Sequence, residues 1–322
     1  MNISRSIQKH IQQELKELKG FIDILPEISS NEHVVKKQIA TLTSNRNKNL
    51  IQHEEQEKLR TTVVGFFGMS VGSHAALTWV MQNRPDVIKI ADPDVISVSN
   101  LNRIRSGLHT VGSGKTETVK KQIEEMSPFT KIYATAQIKP DLLKKFCLSK
   151  PAVGMIVDEI DSLEGKIILR KLAKEMRIPL ISATDVGSAV FLDIERYDLK
   201  RDTSFFLGRI SQREIDTIDT MPPKEKRKLL FKIVGFAHNS ERMLESLLEI
   251  KKTLYTWPQL GSTATMAGGI LTTALTKIIL GEKVETGRYV ISLDELLEKD
   301  YFSKKRIEKR KKLVRSLEEM LK

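Results

Sequence analysis

Short apolar runs alternate with amphipathic helical patterns between residues 62 and 183, and this alternation restricts the fold more than any other feature. The runs VGMIV (153–157) and IPLIS (178–182) contain almost no polar residues, which is typical of parallel strands covered by helices on both faces. The sequence therefore predicts an α/β fold with a doubly wound, mostly parallel sheet. The predicted strands are 62–67, 87–91, 131–136, 153–157 and 179–183, and the predicted helices are 73–82, 115–126, 140–147 and 163–176.

The pattern divides the chain into four parts. Residues 1–44 predict a helical N-terminal arm, because Ile7, Ile11, Leu15, Leu18 and Ile22 recur at three- and four-residue steps before Pro26. Residues 45–200 contain the alternating strands and helices. Residues 201–302 are predicted to be a mainly helical C-terminal part of the same domain, which offers a surface for dimerisation or substrate, and 303–322 to be a charged C-terminal helix.

Composition limits the compartment and the class of protein. The single cysteine, Cys147, excludes an intramolecular disulfide and a paired C-x-x-C zinc site, so we expect a reducing, cytoplasmic location. The N-terminal residues lack the apolar core of a signal peptide. The apolar run 264–280 is interrupted by threonines and Lys277, so we expect no membrane span.

The net charge of +12 leaves the choice of partner open. It results from 53 Lys and Arg against 41 Asp and Glu, and it is compatible with nucleic acid, an anionic nucleotide or an acidic protein. The basic C-terminal residues have helical spacing, so a solvated helix is the simpler interpretation there. Nucleic acid is therefore a possible partner but not a required one.

The segment FFGMSVGSHAAL (66–77) resembles a nucleotide-binding turn. Gly68 and Gly72 bracket it, Ser70 lies between them, and the next residue, Ser73, opens a helix whose N-terminal amides favour phosphate. The spacing differs from G-x-G-x-x-G, so an ordinary strand-to-helix turn is the alternative. Asp92 ends the next strand twenty positions after Gly72, where a Rossmann-like unit places the acid that binds ribose.

The loop after Asp92 argues against an ordinary NAD site. It reads ADPDVISVSNLNRIR and supplies cationic and amide donors suited to a triphosphate, with Asp94, Asn100, Asn102, Arg103 and Arg105 among its residues. Lys115 follows two glycines at the start of a helix and is a second candidate for phosphate binding. A P-loop is excluded because its first glycine would be His109.

Carboxylates follow the strand VGMIV. Asp158, Glu159 and Asp161 lie at the same carboxyl edge, and clustered acids near phosphate suit Mg²⁺. Capping of the next helix by Asp161 is the structural alternative.

Together these motifs resemble the ThiF/MoeB superfamily of adenylyltransferases, which includes the ubiquitin-activating enzymes. The glycine turn, DPDVISVSNLNR (92–103), GSGK (112–115) and DEID (158–161) are in the family's order, and NRNKNLIQHEEQEKLRTTVVGFFG (45–68) resembles its N-R-Q helix. The glycine turn and the strings ATDVGSAVFLDIERYDL and WPQLGS resemble a branch with G-x-S-x-G. That branch departs from the usual longer glycine turn.

The resemblance implies binding of ATP and Mg²⁺ and a role for each matching residue. Asp92 would hold the ribose, Asn100 and Arg103 would contact phosphates, Lys115 would bridge the α- and β-phosphates, and Asp161 would organise Mg²⁺. Arg46 matches an arginine that enters the partner's ATP site, which implies a homodimer. No cysteine follows residue 147, so the thiol that accepts an acyl group in many relatives is missing.

The function implied is adenylation of a carboxylate with release of pyrophosphate. The carboxylate would belong to a ubiquitin-like protein, a peptide, a small acid or a modified nucleoside. A nicotinamide or flavin oxidoreductase using the same turn and a non-catalytic scaffold subunit are the alternatives.

Overall fold

The computed structural model describes residues 4–20, 28 and 31–321, and these form a mixed α/β fold around one seven-stranded sheet. The strand order is β3-β2-β1-β4-β5-β6-β7. Strands β1 to β5 are parallel, β6 pairs antiparallel with β5, and β7 pairs antiparallel with β6. The strands are β1 (Val64–Phe67), β2 (Val87–Ala91), β3 (Lys131–Thr135), β4 (Met155–Asp158), β5 (Pro179–Val186), β6 (Ala189–Arg196) and β7 (Gly287–Ser292).

Helices cover both faces of this sheet. The helices are α1 (Arg5–Glu17), α2 (Glu32–Ser44), α3 (His53–Thr61), α4 (Val71–Asn83), α5 (Lys115–Met126), α6 (Pro140–Leu148), α7 (Leu163–Met176), α8 (Gln212–Asp216), α9 (Pro223–Val234), α10 (Glu241–Leu248), α11 (Gly261–Leu280), α12 (Leu293–Leu297) and α13 (Lys304–Leu321). The predicted doubly wound fold is confirmed. The predicted elements between 62 and 183 match to within a few residues.

The first face of the sheet packs against α3, α4, α5 and α11. Its core joins Phe66 and Ile90 of the sheet with Trp79 of α4 and Leu271 of α11, all fully buried. α11 lies far beyond α4 in the sequence, yet the two helices share this core with the sheet.

α11 is the one helix among the described residues that is long and apolar enough to cross a membrane. Half of its apolar window is buried inside the protein, where it packs on α4, β5 and β6. Gly268 permits this approach, since a Cβ there would lie 2.7 Å from the His74 backbone. Its apolar composition is thus explained by core packing.

The second face packs against α6 and α7, and the C-terminal helices α9, α10 and α13 extend the cover over β5 and β6. Cys147 lies in this second core and is fully buried. Burial raises the pKa of its thiol to about 12, only partly opposed by the nearby Lys89. The thiol is therefore neutral and part of the core.

The N-terminal arm contains two of the helices, α1 and α2. Leu15 is buried and Ile7 is 54% exposed, so only part of the predicted apolar stripe is covered. Ile22 and Pro26 lie outside the described residues. The helix that precedes the first strand, α3, begins at His53.

Candidate nucleotide site

Three strand ends meet at the carboxyl edge of the sheet. β1 ends at the glycine turn, β2 leads into Asp92 and β4 ends at Asp158, with β1 between its two neighbours. The chain continues to β2 on one side of β1 and later to β4 on the other. Open α/β sheets bind ligands in the crevice at such a switch point, so the predicted motifs converge where a nucleotide would be expected.

Gly68 is required by its close packing against the loop after β4. Its φ of +93° is a left-handed conformation, and a Cβ there would lie 2.2 Å from the carbonyl oxygen of Glu159. Gly72 faces the same neighbour, and a Cβ at this position would lie 3.2 Å from the Cβ of Glu159. The glycines therefore let the turn lie against the loop after β4.

Asp92 fixes the turn from the β2 side. It is 4% exposed, and its carboxylate accepts hydrogen bonds from the backbone N–H of Met69 at 2.5 Å and of Asp94 at 2.8 Å. Burial raises the pKa of Asp92, and the nearby Lys115 opposes that shift. A carboxylate has four acceptor positions, so Asp92 keeps capacity for a ribose hydroxyl.

Lys115 opens α5 and points into the same crevice. Its Nζ lies 2.8 Å from Asp94 Oδ2 and 3.8 Å from Asp92 Oδ2, and the residue is 5% exposed. A lysine at a helix N-terminus opposes the helix dipole, and these two carboxylates offset that cost. Asp94 is 58% exposed in its side chain, so this partner can move into solvent when an anion approaches.

Arg103 is held over the start of α4. Its Nε donates to Ser70 Oγ at 3.2 Å, and its Nη1 donates to Asn102 Oδ1 at 3.0 Å and to the Ser99 carbonyl at 3.2 Å. Its own carbonyl accepts from His74 Nε2 at 2.5 Å. Burial lowers the pKa of His74, so the ring is neutral and donates through Nε2. The guanidinium is thus positioned beside the N-terminus of α4, where the Ser70 side chain makes no capping hydrogen bond.

The two asparagines of the loop are engaged with the protein. Asn100 Oδ1 accepts from the Ser97 N–H at 3.1 Å and closes a short turn. Asn102 Nδ2 donates to the Gln259 carbonyl at 2.8 Å. Both side chains therefore shape the loop that carries Arg103.

The three acids after β4 differ sharply. Asp158 is fully buried and ion-paired with Arg170 at 2.6 Å; burial alone would raise its pKa, but Lys166 and Arg170 lower it overall. Glu159 accepts from the Ala183 N–H at 2.7 Å, and burial raises its pKa well above the usual value. Asp161 is exposed and, among the described residues, makes no hydrogen bond or ion pair.

Asp161 is therefore the acid of this group that is free for a ligand. It does not cap α7, because Ser162 accepts the hydrogen bond from the Gly165 N–H at 3.2 Å. No group of three or more His, Cys, Asp or Glu that could hold a metal occurs among the described residues. A cation here would need oxygen ligands from phosphates, which is the usual arrangement for Mg²⁺.

Arg46 lies far from this crevice in its own chain. It is exposed in a single helical turn (Asn45–Asn47), and the adjacent Asn47 donates to the carbonyl of Gln82 at 2.9 Å. Gln82 is at the C-terminal end of α4, whereas the glycine turn is at its N-terminus. Thirteen helical residues separate the two by about 20 Å.

Two residues beside the crevice escaped the sequence analysis. Asp185 lies four residues past the last β4–β5 pair, and burial raises its pKa to about 6, with Arg103 and Asp161 among the charges that act on it. Gln259 Nε2 donates to both Asp185 oxygens, at 3.0 and 3.1 Å. The sequence signal that could have indicated these two residues is their presence in ATDVG and WPQLGS, two strings that resemble the G-x-S-x-G branch.

Comparison with known proteins finds a matching family and related sequences. The family model described as the ThiF family matches residues 43–315. An uncharacterised protein of Mycobacterium tuberculosis is 30% identical over 79% of this chain and 35% of its own length. The tRNA threonylcarbamoyladenosine dehydratase 1 of Saccharomyces cerevisiae is 24% identical over 62% of this chain and 43% of its own. The chain thus spans less than half the length of these two relatives.

Solved structures share the fold at low sequence identity. PaaA aligns with a TM-score of 0.55 at 18% identity, over 91% of this chain and 81% of its own. The tRNA N6-threonylcarbamoyladenosine dehydratase TcdA of Escherichia coli gives 0.52 at 17%, over 74% and 95%. MccB of Escherichia coli, crystallised with ATP, gives 0.50 at 18%, over 91% and 77%.

Proposed function

Since this chain belongs to the ThiF family, we propose that it is an ATP-dependent adenylating enzyme that transfers AMP to a carboxylate. One observation carries the proposal: the N-terminus of α4, the Arg103 guanidinium and the Lys115 ammonium converge on one crevice at the switch point of the sheet. Three anion-binding elements in one place suit a triphosphate. A nicotinamide or flavin site would need the turn and Asp92 but no such cations.

The residues present fit ATP and Mg²⁺. Asp92 would accept from the ribose, and Arg103 and Lys115 would neutralise phosphate oxygens. Asp161, exposed and without a partner among the described residues, would hold Mg²⁺, which when bound supplies further positive charge to the phosphates. Asp158 is excluded from metal binding because its carboxylate is turned inward to Arg170.

In the proposed reaction a substrate carboxylate oxygen attacks the α-phosphorus of ATP in line. The new P–O bond forms as the bond to the bridging oxygen breaks, and pyrophosphate leaves with that electron pair. A carboxylate is ionised at neutral pH, so the enzyme needs no general base. Catalysis then depends on positioning and on fixed positive charge from Arg103 and Lys115.

The activated acyl group would pass to a nucleophile outside this chain. Cys147 is buried and its thiol is neutral, and no other cysteine is present. The substrate classes we carry forward are the C-terminus of a ubiquitin-like protein or peptide, a small acid, and a carboxyl-bearing modified nucleoside. The lone buried cysteine also supports our proposal of a cytoplasmic location.

We further propose that the enzyme is a homodimer with composite sites. Arg46 is exposed at the end of α4 remote from its own crevice, so it can act on phosphate only in another chain. A two-fold dimer would provide two such sites. A non-catalytic scaffold would have no need to retain this arginine together with the cations of the crevice.

Pyrophosphate exchange tests the proposal directly. The protein is incubated with ATP, Mg²⁺, labelled pyrophosphate and a panel of peptides, small acids and tRNA. Lys115→Ala and Asp161→Ala should each lower exchange by at least about a hundredfold, because each removes one preorganised transition-state contact. Lys121→Ala, at an exposed lysine on the same helix, is the matched control. Normal exchange in both site variants would refute the assignment.

Ligand-induced stabilisation separates the enzyme classes without a known acid. ATP with Mg²⁺ should raise the unfolding temperature, whereas NAD and flavin should not, since only a bound ligand stabilises the folded state. Stabilisation by NAD or flavin alone would favour the oxidoreductase instead. ATP binding without exchange across the whole panel would favour the scaffold.

A further inference from the structure

The segment before α11 connects β5 to the loop that carries Arg103. The side chain of Gln259 donates to both oxygens of Asp185, and its backbone carbonyl accepts from Asn102 Nδ2 at 2.8 Å. Asn102 Oδ1 in turn accepts from Arg103 Nη1 at 3.0 Å. A continuous chain of hydrogen bonds therefore runs from the end of β5 through Gln259 and Asn102 to the Arg103 guanidinium.

Close packing holds this chain in place. A Cβ at Gly261 would lie 2.5 Å from the Asn102 carbonyl oxygen, so the segment contacts the loop without space between them. Thr263 Oγ1 donates to the Gly187 carbonyl at 2.6 Å, which ties the start of α11 to the β5–β6 turn. The rest of α11 is anchored in the core.

Arg103 has few other restraints on its head group. Ser70 Oγ contacts Nε at 3.2 Å, and the Ser99 carbonyl accepts from Nη1 at the same distance. An arginine side chain has many rotamers, and holding it in one geometry before a ligand binds reduces the cost of binding. The shortest side-chain contact of Arg103 is the one to Asn102, whose other end is fixed by Gln259.

We infer that Gln259 is a positioning residue, which through Asn102 holds the Arg103 guanidinium in the orientation that receives the phosphates of ATP. The inference rests on the proposed function, because it assigns Arg103 a phosphate contact. It gives the helical C-terminal part a role in the nucleotide site through Asn102 and Arg103. Gln259 acts only through Arg103.

Nucleotide affinity tests this without knowledge of the acid substrate. Isothermal titration of the full chain with ATP and Mg²⁺, and separately with adenosine, measures binding with and without phosphates. Gln259→Leu should weaken ATP binding by about threefold to tenfold, since ordering one long side chain on binding has an effect of that size. Adenosine affinity should not change. Gln212→Leu, which removes a glutamine–aspartate bond of 2.8 Å on α8, is the matched control.

A double-mutant cycle with Arg103→Ala separates positioning from general support of the fold. If Gln259 acts through Arg103, its substitution has no further effect on ATP affinity in the Arg103→Ala background. Asn102→Ala, at an exposed residue, should reproduce the loss and serves if Gln259→Leu does not fold. Full additivity, equal loss of ATP and adenosine, or no loss in either variant would overturn the inference.

The double-mutant cycle also distinguishes failure of the positioning inference from failure of the proposed function. Wild-type protein that binds no ATP, or an Arg103→Ala variant that binds it normally, refutes the phosphate role of Arg103 and with it this inference. Weakened binding in Arg103→Ala combined with an additive effect of Gln259→Leu leaves the proposed function intact and refutes only the positioning role.

Discussion

Replacement of Asp185 by asparagine should stabilise the protein at neutral pH. Asp185 is 6% exposed, and burial raises its pKa from 3.8 to about 6, opposed by the hydrogen bonds from Gln259 and by Arg103 and reinforced by the Asp161 charge. The ionised Asp185 carboxylate is therefore less stable in the folded protein than in the unfolded chain. An asparagine at this position keeps one oxygen to accept from Gln259 and carries no charge.

The expected size follows from proton linkage. A rise of about two pKa units corresponds to about 3 kcal/mol in the free energy of unfolding. The protonated carboxyl contributes this stability at low pH, and the native protein loses it in full above pH 6, where the carboxyl is ionised. Between about pH 4 and pH 6 the folded protein keeps this proton while the unfolded chain releases it, so raising the pH through that window lowers the free energy of unfolding. Asp185→Asn should thus be more stable by up to about 3 kcal/mol at about pH 7.5 and by about 1 kcal/mol at about pH 4.5.

Urea unfolding at the two pH values, followed by circular dichroism, measures both differences. The comparison is between variant and parent at each pH, because other buried acids, Glu159 among them, shift the pH dependence of both proteins alike. Asp202→Asn is the control, since that side chain is 79% exposed. A stabilisation that does not shrink at the lower pH, or a loss of stability at the higher one, would refute the reasoning.

Three further predictions concern the turn, the cysteine and the assembly. Gly68→Ala should destabilise the fold by about 2 kcal/mol or more, because its Cβ would meet the Glu159 carbonyl. Gly269→Ala, in open space on α11, should instead stabilise the fold by about 0.5–1 kcal/mol. Equal effects of the two substitutions in urea unfolding would contradict this. Cys147→Ser should cost about 1–3 kcal/mol, as a buried hydroxyl replaces the thiol, yet leave ATP affinity unchanged; a substrate adduct trapped on Cys147 would reverse that view. Mixing Arg46→Ala chains with Lys115→Ala chains should restore pyrophosphate exchange towards half of normal per mixed dimer, because one of its two sites then has neither defect. No recovery despite proven subunit exchange would show that Arg46 does not act in trans.

The sequence alone determined the fold class and the order of the motifs. Apolar runs without alternation predict buried parallel strands, and helix periodicity fills the intervals between them, so β2, α5 and α7 were predicted close to their observed bounds. These signals are local, because a strand or helix is encoded within a window of about ten residues. The motifs at strand ends then had to meet at one edge, since all parallel strands end on the same side.

Tertiary structure decided how each site residue is used. The sequence places both Asp158 and Asp161 at the carboxyl edge of the sheet. Only Asp158 forms an ion pair with Arg170 on the next helix, so only its carboxylate is turned into the core. Gly68 is required by contact with Glu159, which is distant in sequence. Gln259 lies 74 residues from Asp185 and 157 from Asn102, so no local pattern could join them. Such contacts arise because α11 must bury its apolar face against α4, and that packing brings the segment before it over the nucleotide loop.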